Sequence, residues 1–209
     1  MSRRLSRPRF ASLGIATPLA LPGQRIGIMG GSFNPPHAGH LAVSETALRR
    51  LKLDRLWWVV TPANPLKPPG GLPPLAERLA ACRRLARNPR IEITGFEAGL
   101  GSPYTALTVG FLRGRFPRVR FVWVMGADNL ASFHRWQEWR RIAACMPIAV
   151  VDRPGWRLKA LASPAGRALQ TRRRPESMAG SLARQRPPAW TYLGTRLSTL
   201  SSSEIRGRQ

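Results

Sequence analysis

The stretch "GIMGGSFNPPHAGH", residues 27–40, concentrates residue types that can bind an anion through main-chain and imidazole groups. Gly30 and Gly31 can take a positive φ and allow a ligand to approach the backbone closely. Pro36 suits the first turn of a helix, where its missing N–H is not needed, so we expect a helix to begin near His37. The unpaired N–H groups and the positive end of that helix dipole favour a bound phosphate.

His37 and His40 are three residues apart, which places both on one face of the first helical turn. Gly39, between them, leaves room for a bulky ligand. The stretch is neither a dinucleotide fingerprint nor a P-loop, because it lacks both the G-x-G-x-x-G spacing and a following Gly-Lys-Ser/Thr. Two other interpretations stay open from the residues alone. One is a glycine-rich turn with two solvated histidines, and the other is a pair of zinc ligands.

A second candidate phosphate site is the stretch "SSSEIR", residues 201–206. Ser201 and Glu204 fit a capping box at the start of a final helix. A capping box does not account for Arg206, because a cation in the first helical turn opposes the helix dipole. A phosphate bound between the helix start and the guanidinium would offset that cost. The candidate phosphate ligands are Ser202, Ser203 and Arg206.

Two further candidates lie after the fourth predicted strand. Asp128, in "GADN", is explained equally well by a helix N-cap and by contact with a ligand. Trp136 and Trp139 are three residues apart in a predicted helix, a spacing that is typical of core residues. On this spacing alone, both indoles are expected in the core.

The alternation of apolar runs and helical patterns predicts the elements that position these residues. An α/β alternation favours a Rossmann-like, doubly wound parallel sheet in a three-layer α/β/α arrangement. Such sheets bind ligands at the carboxyl ends of their strands, where the strand order reverses, and the glycine–histidine stretch follows the first strand. Strands are predicted at 25–29, 55–62, 90–97, 118–126, 146–155 and 189–194, and helices at 40–53, 75–88, 104–116, 133–145, 156–170 with a break near Pro164, and 201–208.

The remaining segments are predicted as loops or extensions. Residues 63–74 form a Pro/Gly loop, and residues 171–188 are expected to be a flexible or surface segment. Residues 1–23 resemble a secretory signal, but Pro18 and Pro22 interrupt the apolar run. We therefore expect residues 1–23 to be a disordered extension and residues 24–209 to form a single domain.

The composition limits the class of partner. The 209 residues carry a formal net charge of +24, which attracts nucleic acid, anionic membranes or phosphorylated small molecules. The arginines are spread along the chain, which is typical of a solvated basic surface. Cys82 and Cys145 provide neither a disulfide framework nor a zinc spacing, so a reducing compartment is expected. Residues 24–209 contain no apolar run long enough to span a bilayer, and we expect a cytoplasmic protein.

The stretch "GGSFNPPHAGH" resembles the signature of the (T/H)xGH nucleotidyltransferase superfamily, and the chain resembles the bacterial nicotinate-nucleotide adenylyltransferase family. The resemblance covers roughly residues 25–206. The chain departs from the family at Leu66, where many members have a histidine. Four further segments carry the likeness in the family's order: "TPANPLKP" (61–68), "YTALT" (104–108), "VMGADNLASFHRW" (124–136) and "LSSSEIR" (200–206).

The resemblance implies that the adenylyl group of ATP is transferred to nicotinate mononucleotide, with Mg²⁺ held mainly by substrate phosphates and not by protein ligands. It implies small-molecule partners, without nucleic acid or membrane. The catalytic residues would be His37, His40, Lys67 and Arg206. The ATP-binding residues would be Gly30, Gly31, Ser32, Phe33, Gly39, Asp128, Ser202 and Ser203. The nicotinate nucleotide would be bound by Thr105 and Trp136.

Two alternative functions remain. A related transferase would use a different acceptor, such as pantetheine phosphate, a cytidylyl acceptor or flavin. A basic RNA-binding module would use the same fold as a scaffold, and its binding would depend steeply on salt. The aromatic residues argue against RNA binding, because they lie in apolar strands and helix faces and form no exposed stacking platform with the arginines.

Overall fold

The computed structural model of the chain describes residues 16–62, 72–102 and 104–194. Short 3₁₀ segments lie at 96–100, 133–135, 170–172 and 176–184. The strands of the described residues are β1 (Arg25–Gly31), β2 (Arg55–Val60), β3 (Ile91–Thr94), β4 (Arg120–Gly126), β5 (Ile148–Val151), β6 (Arg173–Arg174) and β7 (Trp190–Leu193). Their helices are α1 (Ala38–Arg50), α2 (Leu75–Leu85), α3 (Thr105–Arg115), α4 (Ala127–Ser132), α5 (Trp139–Cys145), α6 (Arg157–Leu161) and α7 (Pro164–Ala168).

The strands form one sheet in the order β3-β2-β1-β4-β5-β7-β6, and every pairing is parallel. The strand order reverses between β1 and β4, which pair directly, with Ile28 opposite Trp123. This confirms the doubly wound α/β fold. The carboxyl ends of these two strands, at Gly31 and Gly126, border the crevice in which such folds bind ligands.

Helices cover both faces of the sheet, and successive strand residues alternate between two separate cores. Ile28, Trp57 and Trp123 pack on one face with residues of α3 to α7. Trp58 and Val124 pack on the other face with residues of α1, α2 and the 176–184 segment. Burial on both faces explains why these strands are almost continuously apolar in sequence.

The single helix predicted over 133–145 is wrong. Helix α4 begins directly after β4, the 3₁₀ turn at 133–135 ends at Trp136, and Glu138, with a left-handed φ of 53°, is the N-cap of α5. Trp136 adopts an extended conformation, so it does not share a helix with Trp139. The two indoles and Phe133 all pack in the same core. Because all three are apolar and three residues apart, their spacing imitates one face of a helix although no continuous helix joins them.

The prediction of a flexible or surface segment at 171–188 is confirmed only in its surface part, because residues 171–175 are exposed. The segment also includes strand β6 and the 3₁₀ segment 176–184, which buries three apolar side chains against the sheet. The numerous basic residues around them obscured this apolar face in the sequence. The buried side chains are Ala179, Leu182 and Ala183.

Residues 16–23 of the predicted extension lie against the domain. The hydroxyl of Thr94 donates to the carbonyl of Ala16 at 3.0 Å, and Ala20 packs against the core. Residues 1–15, the segment 63–71 of the predicted loop and the final helix predicted at 201–208 lie outside the described residues. Within the described ranges, no helix combines the length and apolar character needed to cross a bilayer.

Candidate active site

The glycine–histidine stretch connects β1 to α1 at the reversal of the strand order. Gly30 and Gly31 end β1, and neither takes the positive φ that the sequence suggested. Gly30 is needed for close packing, because a Cβ there would lie 2.9 Å from Cη2 of Trp123. The positive φ, 46°, falls on Phe33. Its buried ring stacks on Trp58 with centroids 4.9 Å apart, which anchors the connection.

The two histidines cap the start of α1 reciprocally. His37 is the N-cap, and its Nδ1 accepts a hydrogen bond from the N–H of Gly39 at 3.1 Å. Nδ1 of His40 accepts from the N–H of His37 at 3.1 Å. The ring centroids are 3.9 Å apart. Two imidazoles thus take the places that Ser/Thr and Glu/Gln usually have in a capping box.

This capping fixes which nitrogen carries the proton. Because Nδ1 of each ring accepts a backbone N–H, Nε2 is the nitrogen left to carry the ring proton. Burial, followed by the nearby His37 and Arg153, holds the pKa of His40 well below its usual 6.5. His40 is therefore a neutral hydrogen-bond donor at pH 7, and the arrangement can hold phosphate oxygens without a histidine cation.

The carboxyl end of β4 contributes an acidic group to the same edge. Gly126 is the N-cap of α4, so the N-cap interpretation of Asp128 is wrong. Oδ2 of Asp128 forms an ion pair with Nη1 of Arg153 at 3.3 Å. Oδ1 is buried and has no hydrogen-bond partner among the described residues. An orphaned carboxylate oxygen at a ligand crevice is a suitable acceptor for a ligand hydroxyl.

Arg153 is a site residue that the sequence did not reveal. It follows β5, and its side chain is only 15% exposed. It pairs with Asp128, which follows β4, and its charge disfavours protonation of His40, which follows β1. Arg153 therefore links residues that follow three neighbouring strands, β1, β4 and β5. A charged residue directly after a parallel strand must lie on the ligand edge, and "VVDRPG" could have been interpreted in this way.

The two candidate contacts for the nicotinate nucleotide lie on the α3–α5 side of the sheet. Trp136 is half-buried, with its ring edge-to-face to Trp123 at 6.2 Å and to Phe133 at 5.3 Å. Trp123 also borders Gly30, so a single indole lies between Trp136 and the glycine–histidine stretch. Thr105 is the half-buried first residue of α3.

A buried carboxyl group, Glu97, connects α3 to the end of β2. Glu97 is only 3% exposed, and its Oε1 accepts a hydrogen bond from the Thr108 hydroxyl at 2.5 Å. Burial raises its pKa, while hydrogen bonds from Thr108 and Thr61 oppose that shift. Nothing in the sequence around "GFEAG" distinguishes this glutamate from a surface residue.

The remaining candidates are divided between described and undescribed segments. Ser32 follows β1 directly, and Gly39 is buried in the first turn of α1. Four predicted phosphate ligands lie outside the described residues, and their roles stay predictions. These are Lys67, Ser202, Ser203 and Arg206.

A doubly wound parallel sheet with a glycine–histidine loop at its switch point is the architecture of a nucleotide-binding α/β protein, and the relatives of the chain are nucleotidyltransferases. Residues 28–208 match the family described as cytidylyltransferase-like. The probable nicotinate-nucleotide adenylyltransferase of Rhizobium meliloti (strain 1021) is 59% identical over 181 residues, which cover 87% of this chain and 96% of that protein. The same-named protein of Bradyrhizobium sp. (strain BTAi1) is 60% identical over 183 residues, covering 87% and 95%.

A solved structure has the same fold. The nicotinic acid mononucleotide adenylyltransferase of Plasmodium falciparum, complexed with NaAD, superimposes with a TM-score of 0.69 at 17% identity, covering 88% of this chain and 83% of that one. The chain belongs to the cytidylyltransferase-like family and, within it, to the nicotinate-nucleotide adenylyltransferases.

Proposed function

We propose that the chain transfers the adenylyl group of ATP to nicotinate mononucleotide, yielding nicotinate adenine dinucleotide and pyrophosphate in NAD biosynthesis. The observation that carries this proposal is the pair of imidazoles, His37 and His40, that cap the start of α1 at the switch point of the sheet, beside a helix N-terminus. The names of relatives that are 59% and 60% identical support the choice of acceptor.

The reaction needs no protein nucleophile. An oxygen of the acceptor's 5′-phosphate attacks the α-phosphorus of ATP, a new P–O bond forms, and the bond from the α-phosphorus to the β-bridging oxygen breaks. The electron pair of the broken bond leaves with pyrophosphate. Catalysis then consists of positioning and of stabilising charge on the phosphate oxygens. His37 and His40 donate hydrogen bonds to these oxygens, and no proton has to leave either ring.

The other site residues bind the two substrates. The connection from β1 to α1 shapes the phosphate site, and the orphaned Oδ1 of Asp128 accepts a hydroxyl of the adenosine nucleotide. Thr105 and Trp136 contact the nicotinate nucleotide, with the pyridine ring against the indole. The connection consists of Gly30, Gly31, Ser32, Phe33 and Gly39, and the additional phosphate ligands are Lys67, Ser202, Ser203 and Arg206.

Magnesium enters this scheme as part of the substrate. Within residues 16–62, 72–102 and 104–194, no group of three His, Cys, Asp or Glu side chains could hold a metal ion. Mg²⁺ prefers oxygen ligands and is commonly bound through substrate phosphates and water. MgATP is therefore the form of the nucleotide that this site would take.

A cytoplasmic location is part of the proposal. Cys82 and Cys145 are both free thiols, which suits a reducing compartment. The proposed substrates are small nucleotides, so neither a nucleic acid nor a membrane is needed as a partner.

The test is an acceptor panel with the purified full chain. MgATP or MgCTP is supplied with nicotinate mononucleotide, its amide analogue, phosphopantetheine or FMN, and pyrophosphate release and product mass are measured. We expect MgATP with nicotinate mononucleotide to give the highest kcat/KM. A higher kcat/KM with phosphopantetheine or FMN would assign the chain to a different acceptor. Salt-sensitive RNA binding without pyrophosphate release from any pair would favour the RNA-binding module.

A further inference from the structure

Arg78, on α2, is a buried cation with unusual partners. Arg78 is only 3% exposed to solvent. Nη1 donates to the carbonyls of Ser32 and Thr61, both at 2.8 Å. Nε donates to the carbonyl of Pro73 at 2.9 Å, and Nη2 to that of Pro62 at 3.3 Å. One guanidinium therefore holds four main-chain carbonyls.

No carboxylate of the described residues forms an ion pair with Arg78. Burial lowers its pKa, because the charged form loses water that carbonyl dipoles only partly replace. The cost of this buried cation is offset by its four hydrogen bonds, and an apolar side chain here would leave four backbone carbonyls without their donor. The guanidinium therefore ties together the backbone segments to which these carbonyls belong.

The four carbonyls belong to three segments: the connection from β1 to α1, the end of β2 and the start of α2. Ser32 lies in the connection from β1 to α1, five residues before the N-cap His37. Thr61 and Pro62 follow β2, and the N–H of Thr61 also donates to the carbonyl of Gly31 at 2.9 Å. Pro73 directly precedes the N-cap of α2. In sequence, Pro62 and Pro73 flank residues 63–71, which include Lys67.

We propose that Arg78 is a positioning residue for adenylyl transfer. It fixes the backbone at Ser32 relative to the end of β2 and the start of α2, so that the connection that carries the two histidines keeps one position. This role rests on the proposed function. Arginine is required because its planar fork reaches several carbonyls at fixed angles, whereas lysine supplies a point charge.

The test compares R78K, R78A and the control R84K in the full chain. Arg84 is exposed in the last turn of the same helix, so R84K makes the same chemical change away from the loop. We expect R78K to lower kcat about 10- to 100-fold, because small displacements of reacting groups cost this much. The KM for nicotinate mononucleotide should change less than about threefold, because Arg78 binds none of its candidate contacts. R84K should keep the wild-type kcat.

Two further measurements separate positioning from general stability. Hydrogen exchange should be faster in R78K at residues 30–34 and 61–62, with the exchange of β4 unchanged. In R78A, millimolar guanidinium should restore activity and equal methylammonium should not. R78K carries the test on its own if R78A does not fold.

The outcomes are distinguishable. An R78K enzyme with wild-type kcat, or one in which exchange rises equally in β4 and in the loop, would overturn the role of Arg78. A wild-type chain that forms no product with nicotinate mononucleotide would instead overturn the proposed function. In that case, unchanged exchange at residues 30–34 in R78K would overturn the structural part of this inference as well.

Discussion

Nδ1 of His40 accepts a hydrogen bond from the backbone N–H of His37 at 3.1 Å, and this contact determines the chemistry of both rings. It completes the cap of α1 and leaves the His40 proton on Nε2. The two histidines therefore have a structural role in the cap of α1, and the proposed function adds to it hydrogen bonds from Nε2 to phosphate oxygens.

The charge state of His40 is directly measurable. Because burial and the neighbouring His37 and Arg153 disfavour its protonation, its imidazole NMR signals should titrate with a pKa well below 6.5. The R153Q variant should raise that pKa, since one repelling charge is removed. The signals are assigned by their loss in H40Q. A wild-type pKa at or above 6.5, or no rise in R153Q, would contradict the neutral donor.

His37 should show separable structural and catalytic roles. Replacing it by alanine removes the N-cap acceptor and should lower the free energy of unfolding by about 1 kcal/mol. H37N should recover most of that stability, because asparagine is a good N-cap, while kcat remains about 10²-fold below wild type. Urea unfolding and steady-state turnover measure the two effects. A fully active H37N enzyme would limit His37 to capping.

Gly30 should tolerate no side chain because of Trp123. A Cβ at Gly30 would lie 2.9 Å from Cη2 of Trp123, so G30A should lose about 1–3 kcal/mol of unfolding free energy. G31A should lose less, because its Cβ would meet the Phe33 ring at an ordinary 3.4 Å. The double variant G30A/W123F should be less destabilised than the sum of the single variants. Additive losses would show that the indole does not require the glycine.

Glu97 should make stability depend on pH in a particular direction. Its pKa is raised in the folded state, so the folded chain binds more protons than the unfolded chain above pH 4.5. The free energy of unfolding therefore falls as pH rises through the window between the two pKa values. E97Q lacks this titration and should gain stability relative to wild type from pH 4 to pH 7. A difference in the free energy of unfolding between E97Q and wild type that stays constant from pH 4 to pH 7 would contradict the raised pKa of Glu97.

T108V provides a control for that experiment. The hydroxyl of Thr108 donates to Glu97 and partly stabilises the ionised carboxylate. Its removal should raise the pKa of Glu97 further and widen the pH window in which the wild-type chain loses stability. In an E97Q background, the same substitution should leave the pH dependence unchanged.

The sheet and the phosphate loop were predictable because their signals are local. Continuous apolar runs marked β1 and β4, and the glycines, prolines and histidines after β1 marked the turn into α1. The place of Arg153 after β5 could also be inferred locally, but the contacts of Arg78 and Arg153 could not. Arg78 binds a carbonyl 46 positions away, and Arg153 pairs with a residue 25 positions away. Contacts of this kind depend on strand order, which periodicity does not encode.

The break before α5 shows a different limit. Phe133, Trp136 and Trp139 have the spacing of one helical face, and all three do pack in one core. Helical geometry ends at the extended Trp136, and α5 begins only after Glu138, which is left-handed although glutamate is ordinarily a good helix former. Tertiary packing overrode local propensity there, and it left Trp136 extended beside Trp123.

The most direct test of the account is the turnover of H40A with saturating MgATP and nicotinate mononucleotide, measured by pyrophosphate release and product mass. H134A is the matched control, because His134 lies outside the phosphate loop. The account predicts that wild type and H134A form nicotinate adenine dinucleotide and pyrophosphate in equal amounts, while a folded H40A is slower by about 10²-fold or more. Turnover of H40A at the wild-type rate would contradict it.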